Sequence, residues 1–253
     1  MSVNSQFAQQ GFVVCQQMFS QAELSEIRNV IALFHAAWIK DNQAFYQSRA
    51  INSAYLTSPQ YLSDAQRSTL FEFIGSAKIM QWANLLLNNS PCFINTQLFF
   101  DPFNPQQNNY WHRDAQYHLS LDEQKQALFG PQVLHFRVPL FDEPGIELVP
   151  GSHKRWDNDE ELQVRLEQNG RKNYHNITSG LAVPLKAGDL LVFSANMIHR
   201  GLYGQGRLAL DILFSDPDPV VTQFIRADCL PSAAMLQTVQ APEAFINSLA
   251  ALP

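Results

Sequence analysis

Cysteine is scarce in this 253-residue chain: Cys15, Cys92 and Cys229 are far apart and odd in number. They form no Cys-x-x-Cys pair and no zinc-type spacing, which excludes a disulfide framework and a thiolate metal site. Free thiols in a reducing compartment are expected. No apolar run approaches the roughly 20 residues that a membrane-spanning helix needs. Residues 1–10 are polar and lack the charged-then-apolar order of a signal peptide. The expectation is a soluble, cytoplasmic protein with no membrane partner. Positive charge is also in short supply, since 17 Lys+Arg against 23 Asp+Glu leave a formal net charge of −6. Nucleic acid is excluded as a partner on that ground, because phosphates must be met by a basic face. There is no internal repeat and no low-complexity tract.

What the chain does have is apolar and aromatic. Hydrophobic residues make up 46% against 16% charged, enough to fill the core of one large domain spanning 1–253. Ser20-Gln21-Ala22-Glu23 fits a capping box, and Leu24, Ile27, Val30, Ile31 and Phe34 follow at helical spacing. Ser63 with Gln66 opens a second helix carrying Leu70, Phe71 and Ile74. Ser76 is positioned to cap a third, which stops near Asn88-Asn89. From Cys92 onward the texture changes to short strands at 93–100, 133–140, 146–149, 190–193, 197–200 and 207–214, punctuated by Gly and Pro. Helices followed by many short strands predict a helical part, 1–90, packed on a jelly-roll core, 91–216. Two stretches, 120–131 and 154–180, read as insertions. Each is either a solvated loop or a lid over a pocket, and 158–168 has the pattern of a short helix.

The chemistry-bearing residues begin with Tyr110-Trp111-His112-Arg113-Asp114. In extended chain, residues two apart share a side, so His112 and Asp114 can reach one cation while Arg113 points away. His-x-Asp alone is a weak signal. A second imidazole, His199, follows the apolar run 190–193, and a jelly roll brings such distant strands together. Two imidazoles and one carboxylate on one face of an ion leave the opposite face open, which suits non-heme iron(II). Arg207 opens a strand whose Leu208, Leu210, Ile212 and Phe214 share one side, leaving Arg207, Ala209 and Asp211 on the other. An arginine turned into the barrel needs an anion, and its planar fork fits a carboxylate. An Arg207–Asp211 ion pair would satisfy it; so would a dicarboxylic cosubstrate.

With these residues in place, the chain resembles the phytanoyl-CoA dioxygenase-like family of iron(II)- and 2-oxoglutarate-dependent oxygenases. The resemblance runs through FAQQGFVVCQQMFSQAELSEIRNVI (7–31), NTQLFFDP (95–102), the His112/Asp114 pair, GIELVPGSHK (145–154) and GDLLVFSANMIHRG (188–201), with Arg207 following. It implies a double-stranded β-helix, or cupin-like jelly roll, with iron(II) on His112, Asp114 and His199. It also implies 2-oxoglutarate as cosubstrate with its 5-carboxylate on Arg207, dioxygen as oxidant, and hydroxylation or related C–H oxidation of a small molecule.

By the same resemblance Gln97 and Arg137 are expected near the cosubstrate, although a strand hydrogen bond and a structural ion pair account for them equally. Tyr110, Trp111 and Tyr117, with His118, flank the ligands and either line the substrate pocket or belong to the core. His153 is expected at a structural corner, and His35, His135 and His175 show no partner pattern. The family pattern is broken at Glu143-Pro144-Gly145, where Asn-Gly is usual, and at Gly201, where a hydroxyl residue is usual. Two other functions remain open on these residues: a non-redox divalent-metal enzyme on a similar barrel, and a non-catalytic metal-binding or sensing module. Neither the substrate nor the oligomeric state is encoded in a recognisable motif.

Overall fold

The computed structural model describes residues 2–87 and 90–252. Nine strands are present among them: β1 (Phe12–Cys15), β2 (Asn52–Ala54), β3 (Cys92–Phe100), β4 (Val133–Pro139), β5 (Glu143–Leu148), β6 (Leu181–Leu185), β7 (Leu190–Ser194), β8 (His199–Gly201) and β9 (Leu208–Ser215). They form a six-stranded sheet, ordered β1-β7-β4-β9-β3-β2, and a three-stranded sheet, ordered β6-β5-β8. Every pairing is antiparallel. The fold is a double-stranded β-helix with flanking helices.

Alternation along the strands of the large sheet decides where everything else sits. Leu134, Phe136 and Val138 of β4, Leu190 and Val192 of β7, and Leu210, Ile212 and Phe214 of β9 all face one way. They pack against Leu24, Ile27, Ile31 and Phe34 of the helix Gln21–Asp41 and against Leu70, Phe71 and Ile74 of Asp64–Ile74. Each such buried side chain contributes roughly 1.5–3 kcal/mol of transfer free energy. The opposite face looks toward the small sheet. There Leu191 and Phe193 meet Ile146, Leu148, Val183 and Leu185 in a second apolar cluster, and the rest of that face is given over to the polar cavity described below.

The helical part is held as its caps predict. Ser20 with Glu23 and Ser63 with Gln66 both close reciprocal capping boxes. Ser76 sits at the N-cap of Ala77–Leu86 but makes no capping hydrogen bond there. The expected stop at Asn88-Asn89 lies outside the described residues; the helix ends at Leu86. Residues 1–90 are not purely helical, because β1 and β2 are built into the two edges of the large sheet. Residues after 216, to which the sequence assigned nothing, form short helices. Phe245 of Glu243–Ala250 packs edge-on against Phe71 (5.3 Å) and Phe93 (5.1 Å), extending the helix-side core.

The stretch 154–180 is anchored over its first half, while much of 167–180 is exposed irregular chain. It carries the helix Asp159–Arg165, and none of its residues lines the central cavity. Arg113 donates to Asp157 Oδ1 from Nε (2.9 Å) and Nη2 (2.7 Å), and Arg165 Nε donates to Asp157 Oδ2 (2.7 Å). All three residues are buried. A third apolar cluster of Trp111, Val149, Val164, Ile177 and Ile198 fills the space beside them. The stretch is therefore a buttress on the outer side of the segment that carries His112 and Asp114. In 120–131, the helix Leu121–Ala127 joins the same buttress through Gln124, which accepts from Arg165 Nη1 at 3.0 Å.

Candidate active site

His112 and His199 are joined through their backbones: each N–H donates to the other's carbonyl at 2.9 Å, which places the two residues side by side at the end of β8. Their rings lie 4.2 Å apart. Each ring is oriented by a carbonyl two residues upstream, His112 Nδ1–H donating to Tyr110 O (3.1 Å) and His199 Nδ1–H to Met197 O (3.0 Å). That tautomer leaves both Nε2 lone pairs free for an ion. Asp114 opens a 3-10 turn directly after the extended segment, and its Oδ1 lies 3.6 Å from each Nε2. The ligand atoms of the three residues lie within 4.8 Å of one another. Burial, and then the proximity of His112, lower the His199 pKa to about 3; burial lowers that of His112 as well. Both rings are thus neutral at ordinary pH, as metal ligation requires. Burial alone would raise the Asp114 pKa, but His135, His199 and His112 outweigh it and hold the carboxyl well below the usual range.

His135, which showed no partner pattern in the sequence, belongs to this centre. It projects from β4 on the cavity side, with Nε2 at 2.6 Å from Asp114 Oδ2 and Nδ1 at 2.9 Å from Asp211 Oδ2. Its ring stacks on Phe193 at 4.5 Å with 10° between the planes. Burial would lower its pKa, but the carboxylates of Asp211 and Asp114 outweigh that and raise it to about 10. His135 is accordingly an imidazolium bridging two acids. The sequence shows the side on which it lies but not its partners. Alternation along 133–140 puts His135 and Arg137 on the side opposite Phe136, just as it puts Asp211 opposite Ile212.

The far end of the cavity is built from Arg207, Arg137 and Glu143. Arg137 donates to Glu143 Oε1 from Nε (2.9 Å) and Nη2 (2.8 Å), an ion pair buried on both sides. Arg207 is only 3% exposed; Asp101 accepts its backbone N–H at 3.1 Å, but the acid nearest its guanidinium is Glu143 at 4.0 Å. Its Nε and Nη1 are buried without a partner, and the residue lines the cavity. The guanidinium lies between the rings of Phe99 (5.5 Å) and Tyr203 (5.6 Å). Burial, and then Arg137, push its pKa down to about 9, so it stays charged at neutral pH. No Arg207–Asp211 pair forms, since Asp211 bonds His135 instead.

Both breaks in the family pattern fall at this end. A Cβ at position 201 would lie 2.4 Å from Arg207 Nη2, so glycine there makes room for the guanidinium. Glu143 is the partner of Arg137. Replacing Glu143 with Gln leaves two buried guanidinium groups facing each other without a carboxylate. We expect Glu143→Gln to destabilise the fold by about 3–5 kcal/mol, measured as the shift in urea midpoint.

The cavity between the two ends has a volume of about 430 Å³. Gln97, Tyr110, Tyr117 and His118 line it. Tyr117 Oη donates to Tyr110 Oη at 2.9 Å, and both rings flank His112. Arg137 also lines the cavity, but its fork is taken by Glu143. Trp111 is not in the pocket. It is fully buried in the cluster on the buttress side, donates from Nε1 to His175 O (3.0 Å) and stacks under Arg200. The reason is the same alternation that turns Arg113 away: 110, 112 and 114 face inward, and 111 and 113 outward. His153 lies beside Phe7 and Gly11, apart from the three ligands.

The phytanoyl-CoA dioxygenase (PhyH) family model matches residues 7–203. The chain belongs to that family. It is therefore a non-heme oxygenase of the iron(II)- and 2-oxoglutarate-dependent type. No curated protein matches the sequence. Among solved structures, AviO1 from Streptomyces viridochromogenes Tue57 is similar, with 18% identity, 85% of this chain and 93% of that one covered, and a TM-score of 0.56. EctD from S. alaskensis, solved with 2-oxoglutarate and 5-hydroxyectoine, shares 15% identity over 85% of this chain and 76% of its own, with a TM-score of 0.56. The epimerase SnoN, solved with Fe3+, alpha ketoglutarate and nogalamycin RO, shares 16% over 85% and 82%, with a TM-score of 0.51. At these identities the likeness to each is one of fold.

Proposed function

We propose that His112, Asp114 and His199 hold the iron(II) of this oxygenase and that Arg207 receives the 5-carboxylate of 2-oxoglutarate, so that a C–H bond of a small organic molecule is oxidised in the space between. The observation that carries the reading is the pair of orphaned N–H groups on Arg207. A buried guanidinium with donors that lack an acceptor is costly to a fold, and a carboxylate at the Arg207 end of the cavity would supply one. The donor set fits the metal as well: two neutral imidazoles and one carboxylate converge from one side and leave the cavity side open.

The charges support it further. The cavity groups and Glu143 behind them comprise three anions (Asp114, Asp211, Glu143) and three cations (His135, Arg137, Arg207). They sum to zero, so a divalent cation and a dianionic cosubstrate together keep the interior neutral. The Arg137–Glu143 pair leaves Arg207 as the unengaged fork at that end, which supports Arg207 over Arg137 as the carboxylate's partner.

When bound, iron(II) would supply the oxidising power by coupling the decarboxylation of 2-oxoglutarate to succinate and carbon dioxide with oxidation of the substrate, one oxygen atom of dioxygen ending in succinate and the other in the substrate. The chain's own residues position the reactants. Gln97 projects from β3 between the two ends and offers an amide to the cosubstrate. Tyr110, Tyr117 and His118 line the side next to the metal ligands, where a substrate would lie. The small-molecule assignment is supported by the cavity's size. The presence of 5-hydroxyectoine in EctD and of nogalamycin RO in SnoN agrees with it. A cytoplasmic location is supported by three cysteines that are all free. Among the described residues no helix is long and apolar enough to cross a membrane.

Purified protein supplied with iron(II), ascorbate and 2-oxoglutarate should form succinate slowly without substrate, and a chelator should stop it. Succinate production that continued unchanged with the iron chelated would overturn the assignment.

A further inference from the structure

Asp114 has two oxygens but only one is turned to the other ligands. Its Oδ1 lies 3.6 Å from His112 Nε2 and from His199 Nε2, whereas Oδ2 lies 2.6 Å from His135 Nε2. We propose that His135, anchored by Asp211, is a positioning residue that restricts Asp114 to a single metal-binding oxygen. The inference rests on the metal-centre reading above and extends it to two residues outside the ligand set.

A carboxylate beside a divalent ion is free to rotate and chelate with both oxygens. Six positions are available around octahedral iron(II). Three protein atoms, two from a chelating keto acid and one from dioxygen fill all six. A second oxygen from Asp114 would take a place that the reactants need. His135 prevents this by holding Oδ2 in a hydrogen bond, and it cannot swing aside. Its other nitrogen is fixed to Asp211 Oδ2 at 2.9 Å, its ring is stacked flat on Phe193, and the residue is 3% exposed. Asp211 is itself 1% exposed on β9, the neighbouring strand, so the anchor belongs to the rigid sheet and not to a loop. Outer partners of metal ligands commonly change metal affinity or activity by about 10–100-fold.

The test uses Co(II) as the probe in the full chain, read by calorimetry and by visible absorption, so it does not depend on turnover. Wild type should bind one Co(II). His135→Leu should change Co(II) affinity on the order of 10–100-fold and alter the visible spectrum, because the freed Asp114 oxygen replaces a water on the ion. His135→Gln, which restores an N–H donor to Asp114, should recover most of both. If His135→Leu does not fold, Asp211→Ala serves instead, because it keeps the imidazole but frees its far side; its affinity should shift in the same direction by a smaller factor, about 3–10-fold. A folded His135→Leu, or in its place Asp211→Ala, with wild-type Co(II) affinity and spectrum would overturn the proposal. An equal change in His135→Leu and His135→Gln would do so too, since it would show that the ring's packing matters and its N–H does not. Failure of the wild type itself to bind Co(II) would remove the metal-centre reading, and this inference with it.

Discussion

Succinate formation by His199→Ala should fall to the level of buffer containing the same free iron. His199 contributes one of three converging ligand atoms, and the other two cannot close a facial site. The substitution is well suited to the question because the fold does not depend on the ring. The backbone bridge between His112 and His199, with N···O at 2.9 Å in both directions, uses no side-chain atom. The imidazole lines an existing cavity, so removing it enlarges open space and leaves no new void in a packed core. The variant should therefore melt cooperatively near the wild-type temperature while its iron content after dialysis drops. Circular dichroism separates the two effects, and mass spectrometry reads the succinate. Wild-type turnover in the folded variant would sink the three-ligand assignment.

Arg207→Ala should raise the KM for 2-oxoglutarate by roughly 10²–10³-fold and leave Co(II) binding nearly unchanged. The estimate follows from stranding a desolvated carboxylate, which costs about 3–5 kcal/mol at about 1.4 kcal/mol per tenfold. Neither neighbour can take over. Arg137 is committed to Glu143 at 2.8 Å, and His135 lies at the metal end between Asp114 and Asp211. Arg207→Lys should recover only part of the loss, because an ammonium presents no planar fork to the carboxylate. An unchanged KM in Arg207→Ala would mean that the guanidinium serves only to balance Glu143.

The parts of the site that could be read from the sequence were those governed by a short period. Alternation in 110–114 puts His112 and Asp114 on one side, and alternation in 207–214 turns Arg207 inward, opposite Leu208 and Leu210. The same rule, carried one step further, turns Trp111 away from the pocket, where 0% of it is exposed. Contacts between distant strands were not legible. Asp114, His135 and Asp211 meet only because β4 and β9 are neighbours in the sheet, with His135 in register with Leu213 and Arg137 with Asp211. No local pattern announces that diagonal. Glu143 looked like a change in a turn, whereas it is the first residue of β5 and 2% exposed. The 154–180 stretch misled for a different reason. Its high charge suggests solvent, but Asp157 pairs with Arg165 and Arg113 below the surface, and the buried Glu161 pairs with Arg155.

The alternation within β4 also bears on how the chain finds its native pairing. Leu134, Phe136 and Val138 lie under the helices, and His135 and Arg137 lie between the sheets. A slip of one residue along either neighbouring strand would drive an imidazole and a guanidinium into hydrocarbon and strand Asp211 and Glu143 without counterions. The ionic groups that lie between the sheets thereby make a one-residue slip expensive, and the same charges act as proofreading for the assembly of the barrel.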